Sequence, residues 1–148
     1  MSQRRSSEAG FTLIELLVVV LIIGIVAAIA LVGYMNALDR AKQRSTMADM
    51  RSISRALEAY LVDNHIVPDS TGGIASLTTM LVPYQINVVP VNDHWGHTYA
   101  FTSNAFDLYT LESFGKDGAD GADVSQVTRN DFFLDIVISN GLFVAAPE

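Results

Sequence analysis

The chain has 148 residues, enough for one domain of ordinary size, and a formal net charge of −7. It contains no cysteine, which excludes a disulfide framework and a thiolate zinc site. The charge is divided: residues 1–61 carry seven Lys/Arg against five Asp/Glu and residues 62–148 two against eleven, so the acid lies C-terminally and nucleic acid is not an expected partner.

Residues 1–10 are polar and carry the basic pair Arg4 and Arg5; from Phe11 to Val32 the one charged side chain is Glu15. As a helix those residues span ~33 Å, the thickness of a bilayer. The positive-inside rule then predicts a single span with the N-terminus in the cytoplasm and the C-terminal domain outside. Unpaired in hydrocarbon, Glu15 costs roughly 2 to 4 kcal/mol, so it is expected near the interface, protonated, or beside a cation, for which a free α-amino group at Phe11 is well placed.

The stretch Gly10-Phe11-Thr12-Leu13-Ile14-Glu15-Leu16 resembles the prepilin signature of type IV pilins and type II secretion pseudopilins. The resemblance implies that a prepilin peptidase facing the cytoplasm cuts between Gly10 and Phe11 and N-methylates Phe11. It also implies that Glu15 pairs with the N-terminal amine of a neighbouring subunit during assembly. Two other readings use the same residues. Thr12-x-x-Glu15 fits an N-terminal capping box, which is compatible with the first reading. A secretory signal cut after Ala28-Ile29-Ala30 is the other, and Glu15 and the length of the run argue against it. Where the family usually has proline, at the twenty-second residue of the mature chain, this sequence has Val32, leaving Gly24 and Gly33 as the residues that loosen the helix.

Beyond the span, Met47, Met50, Ile53, Leu57, Tyr60 and Leu61 recur at three- and four-residue steps, which predicts that the helix continues to about Asp63 with one apolar stripe to pack on a sheet. Arg40, Lys42, Arg44, Arg51 and Arg55 lie along the same helix among Asp39, Asp49 and Glu58. They form either a solvated face or a surface that meets the acidic head of a neighbouring copy.

Asn64 to Pro90 reads as a connection with one short helix around Ile74 to Leu81, bounded by Pro68, Gly72-Gly73 and Pro83. Thr98 to Thr102 and Phe106 to Leu111 alternate around Ser103-Asn104 and predict a hairpin. Phe132 to Ser139 and Leu142 to Ala145 flank Asn140-Gly141, a type I′ turn signal.

Asp93-His94-Trp95-Gly96-His97-Thr98-Tyr99 brings two histidines close in sequence, with His65 a third in reach, but positions three apart on a strand face opposite ways. The segment resembles the Asp-x-Trp-Gly-x-x-Tyr stretch of major pseudopilins, which implies a structural turn with a buried aromatic.

Ser113 to Asp123 holds three carboxylates and three glycines, a composition that suits an oxygen-rich calcium loop or a turn closed by its own hydrogen bonds. It is not an EF-hand, since Thr128 stands where the bidentate glutamate is needed. As Ser-x-Gly-x-Asp-Gly-x-x-Gly it resembles the calcium loop of the major pseudopilin. That implies Asp117 as a ligand and Asp135, before Ile136, as the closing acid, with Asp131 compensating for Leu134 at the first closing position. A calcium ion there would be structural.

No nucleophile, base and orienting group form a catalytic set, so an enzyme is not expected. The sequence predicts an α+β fold, a long N-terminal helix on a small, mainly antiparallel β-sheet, with a leader at 1–10, a membrane and polymerisation helix at 11–35 and a periplasmic pilin-like domain at 36–148. The resemblance implies a major pseudopilin of the inner membrane that polymerises with itself into a periplasmic filament. Its implied partners are prepilin peptidase, the inner-membrane secretion platform and minor pseudopilins. The alternatives are a type IV pilin of a surface fibre and a single-span anchored binding domain.

Overall fold

The computed structural model describes residues 10–104, 106–121 and 131–147. Two compact units divide between Ala37 and Leu38. Helix α1, Leu13–Asn64, supplies residues to both, ending one residue beyond the predicted limit.

In the first unit α1 has no packed face. Every residue from Leu13 to Ala37 is exposed, the aliphatic side chains included, among them Leu21 at 58% and Ile29 at 74%. A continuous apolar surface of this size is not stable against water, and a helix apolar on all sides belongs in lipid or among other helices. By length and composition this segment can cross a membrane.

In the second unit α1 becomes amphipathic. Its buried side chains are Asp39, Gln43, Thr46, Met50, Ile53, Ser54, Ala56 and Leu57, so one face recurs at steps of three and four. Met50, Ile53 and Leu57 are fully enclosed, with Met47, Tyr60 and Leu61 packed at the margin of the core, as the apolar stripe predicts. The polar start of that face was not legible as core: Asp39, Gln43 and Thr46 are buried because loops from the sheet cover them and bond to them.

Helix α2, Gly73–Leu81, turns Ile74, Leu77 and Leu81 into the same core and packs on β1. The sheet is antiparallel throughout in the order β1 (Ala100–Ser103), β2 (Tyr109–Ser113), β3 (Ile136–Ser139), β4 (Leu142–Ala145). Alternation along β2 places Tyr109, Leu111 and Ser113 inward and Thr110 and Glu112 on the opposite face. The Tyr109 hydroxyl lies 2.8 Å from Ser54 Oγ on α1, and burial pushes its phenol pKa up.

Three predicted strands start later than expected, β1 at Ala100 instead of Thr98. Phe106 to Leu108 stay out of β2 because the Asn104 side-chain oxygen accepts from the backbone N–H groups of Phe106, Asp107 and Leu108, at 2.9, 3.1 and 2.9 Å. That bonding holds them in a turn instead of a ladder. Phe132 to Asp135 stay out of β3 because the chain there closes the preceding loop: Lys116 N–H donates to the Phe132 carbonyl at 2.7 Å. Asn140 and Gly141 have φ of 46° and 84°, the two positive values a type I′ turn requires.

Candidate functional site

Two sites carry the functional argument, one in each unit. At the first, Gly10 and Phe11 precede the helix and Thr12 caps it. Thr12 N–H donates to Glu15 Oε2 at 2.9 Å, Thr12 Oγ1 donates to the same oxygen at 2.7 Å, and Glu15 N–H donates to Thr12 Oγ1 at 3.3 Å. This is the reciprocal capping box, and it satisfies donors that a helix start otherwise leaves open. Glu15 is nonetheless exposed, so its carboxylate stays accessible to a partner.

The second site is built on Asp93, which is buried. Its Oδ1 accepts from the backbone N–H groups of Trp95, Gly96 and His97 at 2.9, 2.8 and 2.9 Å, and its Oδ2 from Ser113 Oγ at 2.8 Å. One carboxylate thus closes the turn and pins it to the end of β2. Gly96, at φ 101°, supplies the left-handed residue the turn needs. Tyr99 follows into the core at 2% exposure, and burial, with Asp49 and Asp93 adding repulsion, pushes its phenol pKa up. The histidines of this segment are spoken for structurally: His94 Nε2 lies 3.1 Å from Asp49 Oδ2, and His97 Nδ1 3.0 Å from the Gly115 carbonyl.

The loop after β2 leaves from this turn. Gly115 has φ 62°, and a Cβ there would stand 2.9 Å from the carbonyl oxygens of both Phe132 and Leu134; at Gly118, φ 67°, it would stand 2.7 Å from the His97 ring. Both positions therefore require glycine. Lys116 Nζ reaches α1 and donates to Asp39 Oδ2 at 2.7 Å, while Trp95 Nε1 donates to Oδ1 at 3.4 Å. The hydrogen bond from Lys116, foremost, holds the Asp39 carboxyl below the usual range.

Carboxylates converge where this loop meets β3. Glu112, Asp120 and Asp135 each place an oxygen within 4.8 Å of the others, and Asp135 Oδ2 accepts from Gly121 N–H at 2.8 Å. Of the three sequence-derived ligand candidates, the structure puts Asp135 in this group and two elsewhere. Asp117 is exposed and its Oδ1 accepts from Ala119 N–H at 3.3 Å; Asp131 Oδ1 accepts from Phe133 N–H at 3.2 Å. Sequence reading missed Glu112, a strand residue outside the glycine-rich run, and Asp120, which lay inside that run without being singled out. Asp123 and Thr128 lie outside the described residues.

Three carboxylates this close repel one another, and a hard divalent cation relieves that repulsion. The donor set is all oxygen, three carboxylates that each offer one atom. The residues present therefore fit calcium.

An apolar helix with a short N-terminal capping motif, followed by an antiparallel sheet on the helix's second half, defines a pilin-like protein anchored in a membrane. The family model for type II secretion system protein G matches residues 33–129, and that for the prokaryotic N-terminal methylation motif matches residues 5–31. The type II secretion system core protein G of Pseudomonas aeruginosa is 36% identical over 134 residues, covering 81% of this chain and 94% of that protein. Those of Vibrio cholerae and Escherichia coli are 28% and 31% identical, covering 88% and 78% of this chain and 99% and 87% of theirs. The chain belongs to the type II secretion system protein G family, the major pseudopilins.

Proposed function

We propose that this protein is made as a precursor, cut between Gly10 and Phe11 by prepilin peptidase, N-methylated on Phe11, and polymerised through the first half of α1 into the filament that drives type II secretion. Before assembly it spans the inner membrane once, N-terminus in the cytoplasm and C-terminal domain in the periplasm. Its partners are copies of itself, the secretion platform and minor pseudopilins. Its role is structural, without catalysis.

The observation that carries this reading is the exposed carboxylate of Glu15, held only by its own capping box, at the head of a helix whose aliphatic side chains to Ala37 are all exposed. A monomer in lipid satisfies the aliphatic side chains but leaves the charge of the acid without a cation; assembly supplies both with partners, packed helices for one and the Phe11 amine of a neighbour for the other.

Calcium is held in this reading by Glu112, Asp120 and Asp135. When bound it supplies a divalent charge that pins the loop after β2 to the start of β3. It stabilises the native state by mass action, so assembly is coupled to the external calcium concentration.

Replacing Glu15 with alanine in the full-length chain tests the central step. Membrane insertion and cleavage persist while filaments disappear from microscopy; filaments in normal yield from Glu15→Ala contradict the proposal.

A further inference from the structure

Arg40, Arg44, Arg51 and Arg55 are all exposed on α1. Steps of four, seven and four residues put them within one ~60° sector of the helix along ~22 Å of its length. That sector begins about 40° round the helix from the buried Ser54 and about 80° from Met50, at the margin of the buried face. The Arg51 guanidinium lies over the Phe143 ring, 5.0 Å from its centre. Among the described residues the four guanidinium groups have no ion-pair partner, and the one carboxylate in their sector is the exposed Glu58, a turn beyond Arg55.

The counter-charge exists elsewhere on the same unit. The single cation among the described residues beyond Val62 is Lys116, and it is committed to Asp39. Asp63, Asp69 and Asp107 are exposed where α1 ends. Val67 N–H donates to the Phe106 carbonyl at 2.9 Å and Ser103 Oγ to the Pro68 carbonyl at 2.6 Å, which brings the segments bearing Asp69 and Asp107 side by side. Hydrogen bonds from Thr71 hold the Asp69 carboxyl below the usual range, so it stays ionised. The other acidic group, around Asp120, is the one a cation would neutralise.

We propose that the arginine stripe of one copy docks on the Asp63, Asp69 and Asp107 pole of a second copy. Repeated head-to-tail from copy to copy without closing, this contact builds an open filament. The inference rests on the filament reading above and specifies which charges set the subunit contact.

The test uses the full-length chain. Arg44→Glu with Arg55→Glu is expected to leave cleavage and insertion unchanged and lower filament yield at least tenfold, Asp69→Arg with Asp107→Arg to do the same, and all four together to restore filaments. Filaments from the first pair in normal yield overturn the proposal. So does loss of binding to vesicles containing anionic lipid while filaments persist, which assigns the stripe to headgroups. Because the chain has no cysteine, Arg55→Cys with Asp69→Cys gives a second readout: in assembled filaments oxidation links neighbouring copies, and filaments that do not cross-link overturn the proposal. An unsubstituted chain that is processed yet forms no filament instead fails the reading on which this one rests.

Discussion

Ser113 Oγ donates to Asp93 Oδ2 at 2.8 Å, joining the end of β2 to a turn whose three backbone N–H groups already converge on the other oxygen of the same carboxylate. Removing the carboxylate takes the partner from the Trp95 and His97 amides in a half-buried turn and from the buried Ser113 hydroxyl, while the Gly96 amide keeps the Asp93 carbonyl at 3.1 Å. Asp93→Ala should therefore destabilise the fold by about 3 kcal/mol or more, at the upper end for a buried network, and Ser113→Ala by about 1 kcal/mol. Urea unfolding of the detergent-solubilised chain measures both.

Acid should loosen the contact between α1 and the loop after β2. The folded-state pKa of Asp39 is depressed, foremost by the hydrogen bond from Lys116, so its contribution is full above the ordinary aspartate value near ~3.9 and is lost as pH falls through the folded value. Lys116 is 36% exposed, so solvent screening holds the pair to about 1 kcal/mol. Asp39→Asn should lower the thermal midpoint at pH 7 and narrow its gap from the unsubstituted chain as pH falls below about 4.

Calcium should raise the thermal midpoint. At a hundredfold excess over the dissociation constant the gain is about 2.7 kcal/mol, several degrees for a domain this size. Asp120→Asn and Glu112→Gln should each remove most of the rise, whereas Asp117→Asn should keep it, since Asp117 turns its carboxylate to Ala119 N–H. A rise lost with Asp117→Asn and kept with Asp120→Asn would return the site to the sequence-derived ligand.

Two glycines with similar backbone angles should respond differently to alanine. At Gly115 the new Cβ meets the backbone oxygens of Phe132 and Leu134 at 2.9 Å, and backbone cannot swing away. At Gly141 it meets the end of the Glu58 side chain, which can. Gly141→Ala should cost about 1 kcal/mol of conformational strain alone, and Gly115→Ala about 2 kcal/mol or more, both read from unfolding midpoints.

What the sequence disclosed followed from local rules. The apolar run, the three-and-four stripe ending at Leu61 and the Asn140-Gly141 turn each depend on residues within a few positions of one another. They place the end of α1, the bounds of α2, and the turn and second strand of the last hairpin within one or two residues. What it withheld depends on chain path. Nothing near Asp39 or Thr46 in sequence signals that Trp95, Lys116 and His94 will cover them. Asn104 stops β2 from starting at Phe106 by competing for amides, an effect alternation does not register. Glu112 joins Asp120 and Asp135 because it occupies the outward face of β2 where the loop returns, whereas the resemblance of the glycine-rich run to a calcium loop pointed to Asp117.

The measurement that bears most directly on the account is the intact mass of the full-length protein extracted from membranes of cells that express prepilin peptidase. The account predicts a chain that begins at Phe11 and carries one added methyl group on its amine. A chain that keeps residues 1–10 in the presence of the peptidase, or one that begins after Ala30, would contradict it.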